Sequence, residues 1–111
     1  MDISKLDCGA WLTLQAVDEK VGEVRLKLTP MPSDFQFPEM TDNKAAIDVI
    51  AKFVIDWNLD SEGVAVPCTD ENKAKYLEYL IRLEVKGEPE KEFAVTPIMR
   101  FVADVSNFLK N

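Results

Sequence analysis

The chain has 111 residues, 47% of them hydrophobic and 30% charged, enough for one domain that buries a core without a metal or a disulfide. Its 20 acidic side chains outnumber 13 basic ones, and a net charge of -7 repels phosphate backbones, so no nucleic-acid partner is expected. Histidine is absent, which removes the commonest general base, the commonest zinc ligand and the usual activator of a serine or cysteine nucleophile.

The opening MDISKLD is polar where a secretory leader is apolar, and no apolar run reaches membrane-spanning length. A reducing cytoplasm and no membrane partner are therefore expected. In that compartment the two cysteines, Cys8 and Cys68, are free thiols, although their number alone leaves one disulfide open.

Residues 10–29 read as a β-hairpin. AWLTLQAV sets Leu12, Leu14 and Ala16 opposite Trp11, Thr13 and Gln15, and EVRLKLT sets Val24, Leu26 and Leu28 opposite Glu23, Arg25 and Lys27. Polar residues and Gly22 between the two runs supply the turn. A lone hairpin is marginal, so its apolar face must meet helices or another strand, for which 64–66 and 93–95 are short apolar candidates. Residues 30–41 carry three prolines in PMPSDFQFPEM and predict an irregular linker, with Phe35 and Phe37 tucked against the core.

A first helix is expected over 42–57, capped by Thr41 or Asp42, with Ala46, Ile50, Phe53, Val54 and Trp57 on one stripe. It runs into DWNLDSEG, where alternating oxygen-bearing side chains approach a glycine as they do in a calcium loop. Such a loop needs glycine at position 6 and a closing glutamate at position 12. Counted from Asp56, Ser61 stands at position 6 and Pro67 at 12; counted from Asn58, Gly63 fits position 6 but Thr69 stands at 12. With no closing glutamate, the stretch predicts a turn and no metal.

Thr69 is expected to cap a second helix over 70–86, with Asp70 and Glu71 in its first turn and Gly87 as its stop. Glu88, Glu90 and Glu92 fall in a charged, solvated loop. Thr96-Pro97 opens a third helix over 97–110, with proline at the first position and a stripe of Ile98, Phe101, Val102, Val105, Phe108 and Leu109. Strands followed by helices make the expected fold α+β: an N-terminal β-hairpin, with room for a small antiparallel sheet, and about three α-helices in a single domain, 1–111.

The stretch VIDWNLDSEGVAVPCTDEN, residues 54–72, resembles the central signature of tail assembly chaperones of long-tailed bacteriophages, on Val54, Trp57, Asp60, Gly63, Pro67 and Thr69. The resemblance implies a non-enzymatic protein that binds the tape measure protein in the host cytoplasm, keeps it in solution and helps recruit major tail protein subunits. It also implies ribosomal slippage near the end of the gene, and Phe108-Leu109-Lys110-Asn111 can be encoded as the slippery run UUU UUA AAA AAC.

No catalytic residue and no cofactor is expected; an enzymatic reading would have to rest on carboxylates such as Asp56, Asp60 and Glu62. For a chaperone the contact surface is apolar area in excess of core needs, with Phe35, Phe37, Met99, Phe101 and Phe108 as candidates. Each of these also fits a core position. The alternative is a small structural or interaction protein of the virion, forming a homo-oligomer through its strand edges, or an inhibitor of a host factor.

Overall fold

The computed structural model describes residues 9–32, 34–36, 43–87 and 90–109. Cys8, Phe37, Thr41, Asp42, Glu88, Lys110 and Asn111 therefore lie outside the described residues. The expected α+β architecture is present, with an N-terminal hairpin, antiparallel sheets and three α-helices among the described residues.

Strands β1 (Ala10–Gln15) and β2 (Glu23–Leu28) pair antiparallel, with Leu12 opposite Leu26 and Leu14 opposite Val24. The two-residue period sends Leu14, Val24, Leu26 and Leu28 into the core and leaves Thr13, Gln15 and Arg25 exposed. On the outer face the Arg25 guanidinium sits 5.2 Å from the centre of the Trp11 ring. Leu26→Ala is expected to cost about 3 kcal/mol in urea unfolding, because Leu26 is fully buried. Arg25→Ala should cost well under about 1 kcal/mol; equal losses would place the register one residue off.

The first helix is shorter than expected, and this is the main correction. Helix α1 (Asn43–Ala51) stops after nine residues, the chain turns at Lys52 and Phe53, and strand β3 (Val54–Trp57) joins the far side of β2. Val54 and Trp57 thus belong to a strand and not to a helical stripe. The register explains why they look helical. Leu28 pairs with Val54 but Lys27 pairs with Asp56, so Ile55 is an extra residue, a bulge. The bulge brings Val54 and Trp57, three apart, onto the same buried face.

The third strand of the sheet is therefore 54–57, not 64–66 or 93–95. Those segments form two small ladders of their own: β4 (Asp60–Ser61) with β5 (Val64–Ala65), and β6 (Glu84–Val85) with β7 (Glu92–Phe93). Val85 also bridges Ala16, and the Lys86 N–H donates to the Gln15 carbonyl at 2.8 Å, which ties β6 to the end of β1.

Helix α2 (Asp70–Leu80) begins where expected but ends six residues before the predicted 86. Leu83 to Val85 leave the helix because their backbone groups serve the sheet: the Ala94 N–H donates to the Leu83 carbonyl at 2.8 Å, and Val85 pairs with Glu92. Helix α3 (Val95–Ala103) starts two residues before the predicted 97, with Pro97 in its third position, and stops at Asp104. A separate 3-10 helix, Val105–Phe108, follows, its first turn held by the Asp104 carboxylate accepting from the Ser106 N–H at 3.0 Å and hydroxyl at 2.7 Å. Those two bonds hold the Asp104 carboxyl below its ordinary pKa.

The inner face of the sheet meets α1, α2, α3 and the 3-10 helix in one core, with Ile50, Leu77, Ile98, Val102 and Phe108 at its centre. Within the 30–41 linker, the Met31 N–H donates to the Val102 carbonyl at 3.0 Å and Phe35 stacks edge-on against Phe53 at 5.2 Å. Among the described residues no helix is long and apolar enough to cross a membrane.

Candidate functional site

Trp57 organises the middle of the chain. Its ring is buried at the end of β3, and its indole Nε1–H donates to the Val66 carbonyl at 2.7 Å. The Val66 N–H in turn donates to the Leu59 carbonyl at 2.9 Å, closing the β4–β5 hairpin. Asn58 ties the hairpin's base to β2: its Oδ1 accepts from the Arg25 N–H at 2.8 Å and its Nδ2 donates to the Glu23 carbonyl at 3.1 Å. DWNLDSEG is thus a strand end and a β-hairpin, not a joint between two helices.

The hairpin turns through Glu62 and Gly63, both in the left-handed region at φ 52 and φ 81. Two consecutive positive φ values match the twist of the flanking strands in a tight two-residue turn, and glycine adopts them at no steric cost. Glutamate does not. Ser61 and Val64 flank the turn and are exposed, Val64 at 69%.

Beyond the hairpin, Thr69 caps α2 as expected. Its hydroxyl accepts from the Asn72 N–H at 3.2 Å, while the Asn72 side chain donates back to the Pro67 carbonyl at 2.8 Å. Asp70 and Glu71 stand in the first turn, where the helix dipole favours negative charge. Thr69→Ala is expected to lower stability by about 1 kcal/mol in denaturant unfolding. A loss near zero would show that the cap is idle.

Every motif residue is accounted for by this arrangement: Val54 and Trp57 in the core, Gly63 in the turn, Pro67 and Thr69 at the cap, Asp60 at the hairpin's foot. The β4–β5 hairpin lies beside α2 and the β1–β2 turn. Between these three elements lies a groove of about 250 Å³. Its base is Val24, Leu59, Val66 and Leu80, and its banks are Val21, Tyr76, Tyr79 and Leu83, with Asp60 at the mouth. Val21 is 48% exposed and Tyr79 67%, so large apolar side chains stand open to solvent on both banks.

A larger hollow, about 480 Å³, runs along the seam of α1 and α2 and is rimmed by Lys44, Asp48, Asp70, Lys73 and Glu78. Its central cation is already engaged: Lys73 Nζ donates to the Ala51 carbonyl at the end of α1, at 3.3 Å, and lies 3.9 Å from Asp70. That hollow is a helix seam in which Ile47, Ala51 and Ala74 are ringed by charges of both signs, whereas Asp60 is the single charged residue lining the groove.

The contact candidates named from sequence lie elsewhere. Phe108 is fully buried and stacks edge-on with Phe101 at 5.4 Å, so its ring is core and not accessible surface. Phe35, Met99 and Phe101 are partly buried against the same core, and Phe37 is outside the described residues. Of the four described candidates, none lines the groove. The signal that points to the groove is at the end of α2 and just beyond it: Tyr76, Tyr79, Leu80 and Leu83 repeat at helical spacing beside Leu77 and Ile81, more apolar surface than one buried stripe requires.

Among the described residues no three His, Cys, Asp or Glu side chains are grouped to hold a metal ion. Glu92 is taken up by Arg100 at 2.7 Å. Burial pushes the Cys68 thiol above its ordinary pKa; Lys73 pulls it down, and Asp56 and Asp70 push it up. A thiol held protonated in this way is a poor nucleophile. Compared with protein-family models, curated proteins and solved structures, the chain matches none.

Proposed function

We propose that the protein works by binding other protein chains and not by catalysis, as a tail assembly chaperone of a long-tailed bacteriophage. In this reading it holds the tape measure protein in solution in the host cytoplasm and helps to bring major tail protein subunits to it. The observation that carries the reading is the open apolar groove between α2, the β1–β2 turn and the β4–β5 hairpin. An apolar groove with exposed aromatic and aliphatic banks suits the masking of a partner's apolar face. The chaperone-like motif adds support, because Trp57 and Gly63 shape the hairpin bank and Thr69 caps α2, which forms the facing bank.

Segments of the tape measure protein encoded in the same genome, co-expressed with this chain, are expected to stay in the soluble fraction and to copurify with it. The double variant Val21→Asn/Tyr79→Asn, at two exposed positions, should keep its melting temperature and lose the capture. Segments that precipitate equally with and without the chain would sink the chaperone reading. Recovery of the chain from purified virions would favour a structural component instead.

A further inference from the structure

Strand β1 is an edge of the sheet, and the chain covers only one end of it. Its even-numbered residues turn their backbone groups to β2: the Ala16 N–H donates to the Gly22 carbonyl at 2.9 Å, and antiparallel alternation puts Leu14 and Leu12 in hydrogen-bonded pairs with Val24 and Leu26. The odd-numbered residues therefore turn outward. At one end β6 uses them, with the Val17 N–H donating to the Glu84 carbonyl at 3.0 Å and the Gln15 carbonyl accepting from the Lys86 N–H. There β6 leaves the edge. Among the described residues nothing pairs with the outward N–H and carbonyl groups of Trp11 and Thr13. Edge strands are commonly blocked by a charge, a proline or a bulge. The sequence of β1, AWLTLQ, has no charge and no proline, and its register with β2 is unbroken. Burial thins in the same direction: Ala16 and Leu14, near β6, are buried, whereas Leu12 and Ala10 on the same face are partly covered.

We propose that this open edge pairs with the same edge of a second copy of the chain, β1 against β1, antiparallel about a two-fold axis at Trp11. Unpaired backbone groups set the class of occupant, since an extended strand presents donors and acceptors at matching spacing. The strand is complementary to itself. With the axis at Trp11, that residue exchanges both backbone bonds with the partner subunit's Trp11, and Thr13 pairs with the partner subunit's Gly9. Leu12 lies beside the partner subunit's Ala10 on the core face, which completes the cover that both lack. Strand β6 selects this register: an axis at Leu12 or Thr13 would set Gly9 or Trp11 against the partner subunit's Gln15, whose carbonyl Lys86 already occupies. Charge favours the same edge. Each chain carries -7, yet β1 is neutral, so a two-fold contact here opposes no like charges directly. Lys27, across from Trp11 on β2, stands three strand spacings from the partner subunit's Lys27, roughly 14 Å and beyond the Debye length at physiological salt.

The test is sedimentation equilibrium of the full chain from about 1 μM to about 1 mM. One strand pair is a small interface, so a dimer with a dissociation constant on the order of 10–100 μM is expected. Thr13→Pro deletes an outward N–H and no bond to β2, so it should keep the monomer folded and weaken the dimer at least about ten-fold. Thr13→Lys, which places a charge on the exposed edge, should do the same; if Thr13→Pro melts well below the parent, Thr13→Lys decides alone. Trp11 supplies an optical readout: its emission should move to the blue as the parent is concentrated, and stay put in Thr13→Lys. No residue of β1 lines the groove, so Val21→Asn/Tyr79→Asn should dimerise like the parent, and failure of the dimer leaves the groove reading standing. A chain that stays monomeric to about 1 mM, a dimer that survives Thr13→Lys, or a dimer abolished by Val21→Asn/Tyr79→Asn would each overturn the proposal.

Discussion

Trp57→Ala is expected to cost about 3–5 kcal/mol, among the largest single losses in the chain, because a buried aromatic ring leaves a cavity that the sheet and helices cannot collapse into. It also removes the indole donor that holds the Val66 carbonyl at 2.7 Å, so the β4–β5 hairpin should loosen along with the core. Trp57→Phe separates the two effects. It keeps most of the apolar volume and deletes the hydrogen bond, and should cost about 1 kcal/mol or somewhat more. Urea unfolding followed by circular dichroism measures both. Fluorescence gives a second readout, since Trp11, the other tryptophan, is 42% exposed and should emit further to the red than Trp57. If Trp57→Ala were as mild as Trp57→Phe, the ring would not be the anchor described here. Loss of groove binding in Trp57→Phe at nearly full stability would connect the anchor to the hairpin bank.

The second large effect is expected at the C-terminal end. Phe108 is fully buried and packs edge-on against Phe101, so Phe108→Ala should cost about 3–5 kcal/mol. Leu109, next to it and 46% exposed, provides the control: Leu109→Ala should stay within about 0.5 kcal/mol. The pair discriminates core from contact surface. A Phe108→Ala protein that unfolds like the parent but fails to bind a partner would return Phe108 to the contact surface and show that the 3-10 helix opens. A large loss of stability, with groove binding intact in the folded fraction, fits the geometry.

Much of the architecture was legible from local pattern. The alternation of Leu12–Leu14 and Val24–Leu26–Leu28 specifies a hairpin and its buried face, because a period of two has no helical counterpart. Thr69 with Asp70 and Glu71 marks the start of α2, because a cap is a bond between residues three apart and needs nothing distant. The stretch 54–57 was not legible. Val54 and Trp57 are three apart, which on a helix is one face; only pairing with β2, and the bulge at Ile55 that this pairing imposes, puts them on the same face of a strand. The early end of α2 has the same origin, since Val85 finds its partners on Ala16 and Glu92, far away in the chain.

The candidate site divides along the same line. Its supports, the turn at Gly63 and the cap at Thr69, are chemically local and stand out in the sequence, but local chemistry there does not distinguish a hairpin from a link between helices. The α2 side of the groove carries a helical repeat, but the rest is made of Val21, Leu59 and Val66, single apolar residues with no period of their own. Side chains from a turn, a strand end and a helix flank share a surface only after the sheet has fixed where those elements stand. What the sequence by itself determined was which segments turn, alternate and cap, because those choices are settled by neighbours within about four residues. Which strand closes the sheet, and which apolar side chains remain uncovered once it has closed, was decided by tertiary pairing, because burial depends on partners that are distant in the chain.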